Sequence, residues 1–183
     1  TAGSLRHHSR WYERDMYSIA FGQGMSVNAL QLATAMGVIA NGGRLVEPIL
    51  VSRVVEPDGD LVLEAGPRVR RQVIPRATAR LVADMLTAVT SEEGTGAEAA
   101  IDGYLVAGKT GTAQISDELG DYATNSGRWL SSFVGFVPAE APRLVIAVVV
   151  HEPVIDHYGG VVAGPVFRRV GEAALRHLGV PPS

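Results

Sequence analysis

The chain has 183 residues, 46% of them hydrophobic, and a formal net charge of -3 at pH 7. A chain of that length and composition can bury one sizeable core, and nothing in it demands a second domain. Its 16 basic and 19 acidic residues give no electrostatic footprint for nucleic acid. The absence of cysteine excludes a disulfide framework, a thiol nucleophile and a thiolate metal site.

The sequence contains no apolar run of about 18 residues and no charged-then-apolar start, so we expect no membrane span or export signal in it. It begins with Thr1 rather than methionine, which suggests a piece of a longer protein. We therefore expect one domain or part of one.

The first third of the chain predicts a polar start followed by a helix. Residues 1–15 are polar and predict a solvated loop. A helix is predicted over 27–41, with Ser26 as its N-cap and the glycines at 42–43 as its stop. Small residues are spread around this helix, which is typical of one that packs closely inside a core.

The middle of the chain predicts a hairpin and a second helix. Residues 49–55 and 61–63 flank a turn sequence at 56–60, which favours a β-hairpin. Helical spacing of apolar residues predicts a helix over 75–89, with its proline in the first turn. Residues 95–98 have capping-box spacing for one short helical turn. The predicted apolar stripe of the second helix is Leu81, Val82, Met85, Leu86 and Val89.

The chain's only lysine, Lys109, lies in a predicted strand that contains a glycine. Residues 104–107 are an apolar run of strand formers, and the sequence stays β-branched and roughly alternating as far as Ile115. A glycine inside a strand often marks the close approach of a ligand or another backbone. The lysine ammonium and the hydroxyls of Thr110 and Thr112 suit the carboxylate of an extended peptide, which a free strand edge could bind by its main chain.

Two other interpretations of the same residues stay open. Residues 103–110 fit the Walker A pattern G-x-x-x-x-G-K-[ST], which requires a flexible phosphate loop and a helix beginning at the lysine. The four variable positions are stiff and apolar, and Gly-Thr-Ala-Gln-Ile follows where a helix should begin. The other alternative is a plain core strand in which the lysine is incidental.

The last third of the chain predicts two strands and a helix. Residues 116–128 are polar and predict a loop beside the lysine strand. Strands are predicted over 129–137 and 143–151, and their short connection at 138–142 makes them antiparallel. A helix is predicted over 165–178. Its apolar face would consist of Val166, Phe167, Val170, Ala174 and Leu178.

Two histidine-containing stretches offer potential metal ligands. His7 and His8 are adjacent, so on any regular element their side chains point in different directions. Residues 151–157 hold four potential ligands, but Pro153 and the lack of a helical i, i+4 histidine pair favour a loop at a strand end. We expect no metal and no cofactor.

The residues around Lys109 resemble a known family. Lys109, Thr110 and Gly111 resemble the K-T-G motif of penicillin-binding proteins and serine β-lactamases. Flanking stretches are similar to class B penicillin-binding proteins, and most of all to the division-type (septal) transpeptidases. These stretches are 20–27, 30–33 and 40–43 upstream, and 132–138, 158–160 and 163–167 downstream. A β-lactamase would share K-T-G, but the match over 21–43 points away from it.

The resemblance implies a fold and a domain arrangement. It implies an α+β fold, the C-terminal portion of the penicillin-binding-protein and serine β-lactamase-like transpeptidase fold, with a mainly antiparallel sheet packed against helices. Residues 1–183 would be the C-terminal part of one such domain, and 180–183 the start of a linker. Val106 stands three positions before Lys109, so no S-x-x-K occurs. The nucleophilic serine and the S-x-N motif would therefore lie on a segment outside this chain.

The resemblance also implies roles for four residues. Lys109 would assist proton transfer and carboxylate binding, and the hydroxyls of Thr110 and Thr112 would hold the substrate carboxylate. The backbone N–H of Thr112 would be one oxyanion donor, and Gly111 would leave room for the substrate. Strict strand alternation puts Lys109 and Thr110 on opposite faces, so a joint role requires a twisted strand or an edge strand.

The function implied is a serine-type peptidoglycan D,D-transpeptidase acting outside the cytoplasmic membrane, where an N-terminal segment would anchor it. Its partners would be stem peptides, β-lactams, the missing part of the domain and division proteins. The chain alone would be inactive. The alternative is a non-catalytic sensor module that keeps the K-T-G receptor without a nucleophile.

Overall fold

A computed structural model describes residues 3–20, 22, 24–115 and 128–182. The α-helices of these residues are α1 (Glu13–Ala20), α2 (Ala29–Ala40), α3 (Arg76–Thr87) and α4 (Gly159–His177). Short 3-10 helices cover His8–Arg10, Ala88–Thr90 and Ala97–Ala99. The strands are β1 (Arg44–Val46), β2 (Arg53–Val55), β3 (Leu61–Glu64), β4 (Val69–Gln72), β5 (Ala107–Gln114), β6 (Trp129–Val137) and β7 (Leu144–His151).

A three-stranded antiparallel sheet in the order β5-β6-β7 is the centre of the fold. Side chains alternate across β6, so its two faces build two cores. Phe133 and Val137 pack with Phe167 of α4. Val134 and Phe136 pack on the other face, toward α2. The mixture of helices with antiparallel sheets confirms the predicted α+β class.

The strands and the hairpin were predicted well. β6 has the predicted bounds, and β7 begins one residue later than expected. The hairpin also forms, with β2 and β3 antiparallel. β2 is four residues shorter than predicted and β3 one residue longer, and all their residues are exposed. The loop predicted over 116–128 falls almost wholly on residues 116–127, which lie outside the described part of the chain.

The start of α2 differs from the prediction. Asn28, not Ser26, is the N-cap, and its side chain accepts from the N–H of Gln31 while the Gln31 side chain accepts from the N–H of Asn28. This reciprocal capping box satisfies two backbone donors that a lone serine could not. Ser26 instead pairs with Ser4 in an isolated bridge. The stop at 42–43 is confirmed by two glycines with φ of 65° and 89°.

The last helix is longer than predicted, and its predicted apolar face is correct only in part, since Phe167 is buried as expected. α4 begins at Gly159, and Pro165 lies inside it rather than in its first turn. Its buried face is built largely from glycine and alanine, because the helix packs closely on the sheet. Its buried members are Gly159, Gly160, Ala163, Gly164, Phe167, Gly171 and Leu175. Of the predicted face, Val166, Val170 and Leu178 are exposed.

Two further helical predictions hold in part. α3 forms as expected, but Leu81 and Met85 of its apolar stripe are exposed. The short turn after Thr95 forms as a 3-10 helix, but its N-cap is Gly96 and no side chain caps it. The predicted capping box is therefore wrong, because the Thr95 hydroxyl bonds elsewhere.

The chain's two ends are ordered where they are described. The polar start predicted as a loop contains a 3-10 helix and the beginning of α1, neither with a buried residue. Near the other end, the carbonyl of Val180 accepts a 2.6 Å hydrogen bond from the Tyr104 hydroxyl. No helix within the described residues is long and apolar enough to cross a membrane.

Candidate active site

Lys109 lies inside β5, and β5 is an edge strand of the three-stranded sheet. The Ile115 N–H donates to the Arg128 carbonyl, so Ile115 is one of the residues that hydrogen-bond across from the β5 segment to the β6 segment. In antiparallel pairs, residues that bond across the ladder alternate with residues that do not. The backbone N–H and C=O groups of Thr110 and Thr112 therefore point away from β6. Among the described residues no strand pairs with that edge.

The register places Lys109 and Thr110 on opposite faces, as predicted. Lys109 lies opposite Val134, on the side of α2, and Thr110 lies opposite Phe133, on the side of α4. The Lys109 side chain is exposed, and its Nζ donates a 3.0 Å hydrogen bond to the Thr110 carbonyl oxygen. Since that carbonyl points outward, the ammonium bends around the open edge.

The local structure does not match a P-loop. The lysine of a Walker A sequence opens a helix, with a glycine-rich loop wrapped before it. Here residues 107–114 are one continuous strand, and Lys109 is its third residue. The plain core strand also fails as a description, because the Lys109 side chain faces solvent at an edge.

The two threonine hydroxyls lie on the α4 face, each with a protein partner. The Thr110 hydroxyl is 3.1 Å from the Thr95 hydroxyl. The Thr112 hydroxyl accepts a 3.0 Å hydrogen bond from the N–H of Gly159. A hydroxyl has one donor and two acceptor sites, so neither group is saturated by these bonds.

Gly111 makes room for a neighbouring side chain. A Cβ at this position would lie 2.4 Å from the Ser132 hydroxyl oxygen, on the face shared with Lys109. On the other face, the backbone of Gly159 approaches the Gly111 carbonyl so closely that a Cβ on Gly159 would lie 2.3 Å from it. Both contacts are close approaches of the kind that a glycine inside a strand indicates. A role for Gly111 toward substrate stays a prediction.

Sequence reasoning missed Thr95 and gave Gly159 no role. Thr95 looked like a helix cap, and its distance of 15 positions from Thr110 carried no signal. The only sequence signal at Gly159 and Gly160 was the family resemblance. Consecutive glycines before a helical pattern are a usable signal, because they permit a close backbone approach.

The loop after β7 closes the far end of the sheet. The Arg128 guanidinium donates to the Glu152 carboxylate, and this bond holds the pKa of Glu152 below its usual value. The His157 ring stacks on Trp129 with centroids 4.4 Å apart, and the buried Ser131 hydroxyl donates to the His157 carbonyl at 2.6 Å. The prediction of a loop at a strand end is confirmed. In the part of the chain that is described, no metal-binding group of three or more ligands is found.

These residues together can recognise an anionic peptide end. An ammonium lies on one side of an open strand edge, two hydroxyls lie on the other, and outward backbone N–H groups lie between them. Charge-assisted hydrogen bonds of this kind suit a carboxylate or a developing oxyanion.

Comparison with known proteins identifies the family. A model described as the penicillin binding protein transpeptidase domain matches residues 1–172. The probable peptidoglycan D,D-transpeptidase PenA of Neisseria flavescens is 38% identical over 184 residues, which cover all of this chain and 42% of that protein. Stage V sporulation protein D of Bacillus subtilis is 38% identical over 165 residues, covering 89% of this chain and 25% of that protein.

Solved structures agree with this family match. Penicillin binding protein 3 from Mycobacterium tuberculosis superposes with a TM-score of 0.88 at 31% identity, over all of this chain and 42% of that one. Its complex with ampicillin gives a TM-score of 0.85 at 30% identity, with the same coverage. The transpeptidase domain of Burkholderia pseudomallei penicillin-binding protein 3 gives 0.80 at 37% identity, over 99% of this chain and 51% of that one.

The chain belongs to the penicillin-binding protein transpeptidase family, and the resemblance to class B members is confirmed. It spans less than half the length of the curated relatives named above.

Proposed function

We propose that this chain supplies the K-T-G part of the acylation site of a peptidoglycan D,D-transpeptidase that cross-links cell wall, in a septal role. The observation that supports this most is the placement of Lys109, Thr110 and Thr112 on an open strand edge, with outward backbone groups between the ammonium and the hydroxyls. Relatives named as peptidoglycan D,D-transpeptidases match the whole chain.

The acyl donor would add to β5 as an extended strand. Its main chain would pair with the outward N–H and C=O groups of Thr110 and Thr112, the β-augmentation mode of peptide binding. Its terminal carboxylate would accept from the two threonine hydroxyls. The Thr112 N–H would be one donor to the oxyanion that forms when the carbonyl is attacked.

The nucleophile would come from a segment outside these 183 residues, because Lys109 is the only lysine and forms no S-x-x-K. Attack of a serine hydroxyl on the donor's peptide carbonyl would form an acyl ester and release the terminal residue as an amine. The serine proton would pass to that amine, with Lys109 assisting the transfer. An amine of a second stem peptide would then displace the serine and form the cross-link.

Residues 1–183 would accordingly be the C-terminal part of one transpeptidase domain, followed by a linker from about residue 180. The intact protein would act outside the cytoplasmic membrane, anchored by an N-terminal segment and associated with division proteins.

Labelling of the full-length protein with a fluorescent penicillin tests this proposal. We expect a stable covalent adduct, blocked by ampicillin, whose mapped serine lies outside residues 1–183 and within an S-x-x-K sequence. Residues 1–183 alone, shown by circular dichroism to be folded, should stay unlabelled. Reversible binding without an adduct in the full-length protein would indicate a sensor module, and a label on a serine of this chain would contradict the assignment.

A further inference from the structure

The first turn of α4 begins with two glycines that pack directly against the backbone of the site. A Cβ on Gly159 would lie 2.3 Å from the carbonyl oxygens of both Gly111 and Ser132. A Cβ on Gly160 would lie 2.0 Å from the carbonyl oxygen of Thr95. Because these obstacles are backbone atoms, a side chain at either position requires α4 or its neighbours to move.

The same turn orients the Thr112 hydroxyl. The Gly159 N–H donates to this hydroxyl at 3.0 Å, which occupies one of its lone pairs and leaves its own proton free to donate elsewhere. The N–H belongs to the positive end of a helix of 19 residues. No acidic residue lies in the first turn, and the N-cap residue Tyr158 makes no side-chain cap bond. The Asp156 carboxylate lies just before the helix and accepts a 2.8 Å hydrogen bond from the Tyr158 N–H.

The Thr110 hydroxyl is oriented through a second contact of that turn. Gly160 packs on the backbone of Thr95, and the Thr95 hydroxyl bonds the Thr110 hydroxyl at 3.1 Å. In a pair of hydroxyls only one proton lies between the oxygens, so with Thr95 as the donor the Thr110 proton remains available to an acceptor. The first turn of α4 therefore bonds the Thr112 hydroxyl directly and packs against Thr95, the residue that bonds the Thr110 hydroxyl.

We infer that Gly159 and Gly160 are positioning residues for substrate recognition. They hold the start of α4 close enough to β5 for the Thr110 and Thr112 hydroxyls to present their protons together to the carboxylate of the acyl donor. This inference rests on the proposed function and adds that recognition of the carboxylate, rather than acylation in general, depends on these glycines.

A comparison of two acyl donors separates recognition of the carboxylate from acylation in general. In the full-length protein, acylation rate constants are measured for a penicillin and for its methyl ester, which lacks the negative charge. The variants are Gly159→Ala and Gly160→Ala. The matched control is Gly171→Ala in the same helix, where the added Cβ would lie 2.6 Å from the Ile101 Cδ1 atom, on the core side chain of a residue outside the site.

We expect the acid-to-ester ratio of rate constants to fall about tenfold in Gly159→Ala, roughly the effect of one charge-assisted hydrogen bond. A smaller fall is expected in Gly160→Ala, and no change in Gly171→Ala. Thr112→Ser keeps the hydroxyl and should keep the ratio, whereas Thr112→Val should lower it. The double variant Gly159→Ala, Thr112→Val should lower the acid-to-ester ratio by no more than the larger of the two single effects.

Each outcome bears on the inference. Gly159 and Gly160 would serve packing alone if their variants slowed acylation by the acid and by the ester equally. The same would follow if Gly171→Ala changed the acid-to-ester ratio as much as they do. If Gly159→Ala does not fold, the two Thr112 variants provide the test. Equal acid-to-ester ratios in Thr112→Ser and Thr112→Val would then overturn the inference. If the wild-type protein is acylated by neither compound, the proposed function fails instead.

Discussion

The hydroxyl of Thr95 lies 3.1 Å from the hydroxyl of Thr110, although 15 positions separate the two residues. This bond joins the segment before a 3-10 helix to the K-T-G strand. The next residue, Gly96, packs so closely that a Cβ there would lie 2.6 Å from the Phe133 ring and 3.3 Å from the Thr110 methyl carbon. The position of Thr95 is therefore fixed by packing as well as by hydrogen bonding.

Replacing Thr95 with valine removes the hydroxyl and keeps the shape. A single hydrogen bond contributes about 0.5–1.5 kcal/mol net. We therefore expect Thr95→Val to slow acylation by a carboxylated β-lactam roughly threefold to tenfold in the full-length protein. Stopped-flow kinetics measure the rate, and Thr95→Ser is the matched control. Wild-type rates in the valine variant would show that the contact is unrelated to the site.

Removing the Phe133 ring should destabilise the domain strongly. Phe133 is fully buried, and its ring meets that of Phe167 edge-to-face with centroids 4.7 Å apart. Truncation of a buried phenylalanine to alanine costs about 3–5 kcal/mol. Denaturant unfolding should show a loss of this size for Phe133→Ala. The control Val161→Ala, at an exposed position of α4, should change stability by no more than about 0.5 kcal/mol.

The lysine strand illustrates what the sequence predicts well. Alternation and β-branched residues indicated β5, and the short connection between β6 and β7 indicated their pairing. Alternation also put Lys109 and Thr110 on opposite faces. These features depend on residues near one another in the sequence, so local pattern is sufficient to predict them.

Two of the errors concern contacts between distant residues. Pro165 is typical of a first helical turn, but close packing of Gly159 and Gly160 on the sheet extends α4 past it toward the N-terminus. Thr95 had the spacing of a cap, but its hydroxyl is bonded to a strand distant in sequence. Tertiary packing overrides local preference in both cases, and a single sequence gives no measure of it.

The Arg128–Glu152 pair predicts a specific pH dependence. The hydrogen bond from Arg128 lowers the pKa of Glu152 in the folded protein. A carboxyl whose folded pKa is lowered contributes stability above its unfolded pKa, about 4.3 for glutamate, and loses it as the pH falls through the folded pKa. The thermal midpoint of the wild type should therefore fall more steeply below about pH 4.3 than that of Glu152→Gln. Parallel curves of thermal midpoint against pH for the two proteins would show that this exposed ion pair contributes no stability.

Nucleotide binding provides a test of the rejected P-loop interpretation. Because Lys109 lies within a strand and opens no helix, we expect no binding of ATP with magnesium in titration calorimetry. Micromolar binding that Lys109→Ala abolishes would contradict the assignment of this segment as a peptide-binding edge.

Acylation kinetics of Lys109 variants test the central claim most directly. In the full-length protein, a charge-assisted hydrogen bond from this ammonium to a carboxylate would contribute about 1.5–3 kcal/mol. Lys109→Ala should therefore slow β-lactam acylation at least about tenfold, and loss of a proton-transfer role would add about a hundredfold or more. Lys109→Arg keeps the charge in a different geometry and should restore the rate only in part.

The measurement is stopped-flow acylation of the wild type and both Lys109 variants, with circular dichroism to confirm that all three are folded. The K-T-G edge predicts that the rates rank wild type first, then Lys109→Arg, then Lys109→Ala. Three equal rates in three folded proteins would show that Lys109 is an ordinary exposed strand residue and that the site lies elsewhere.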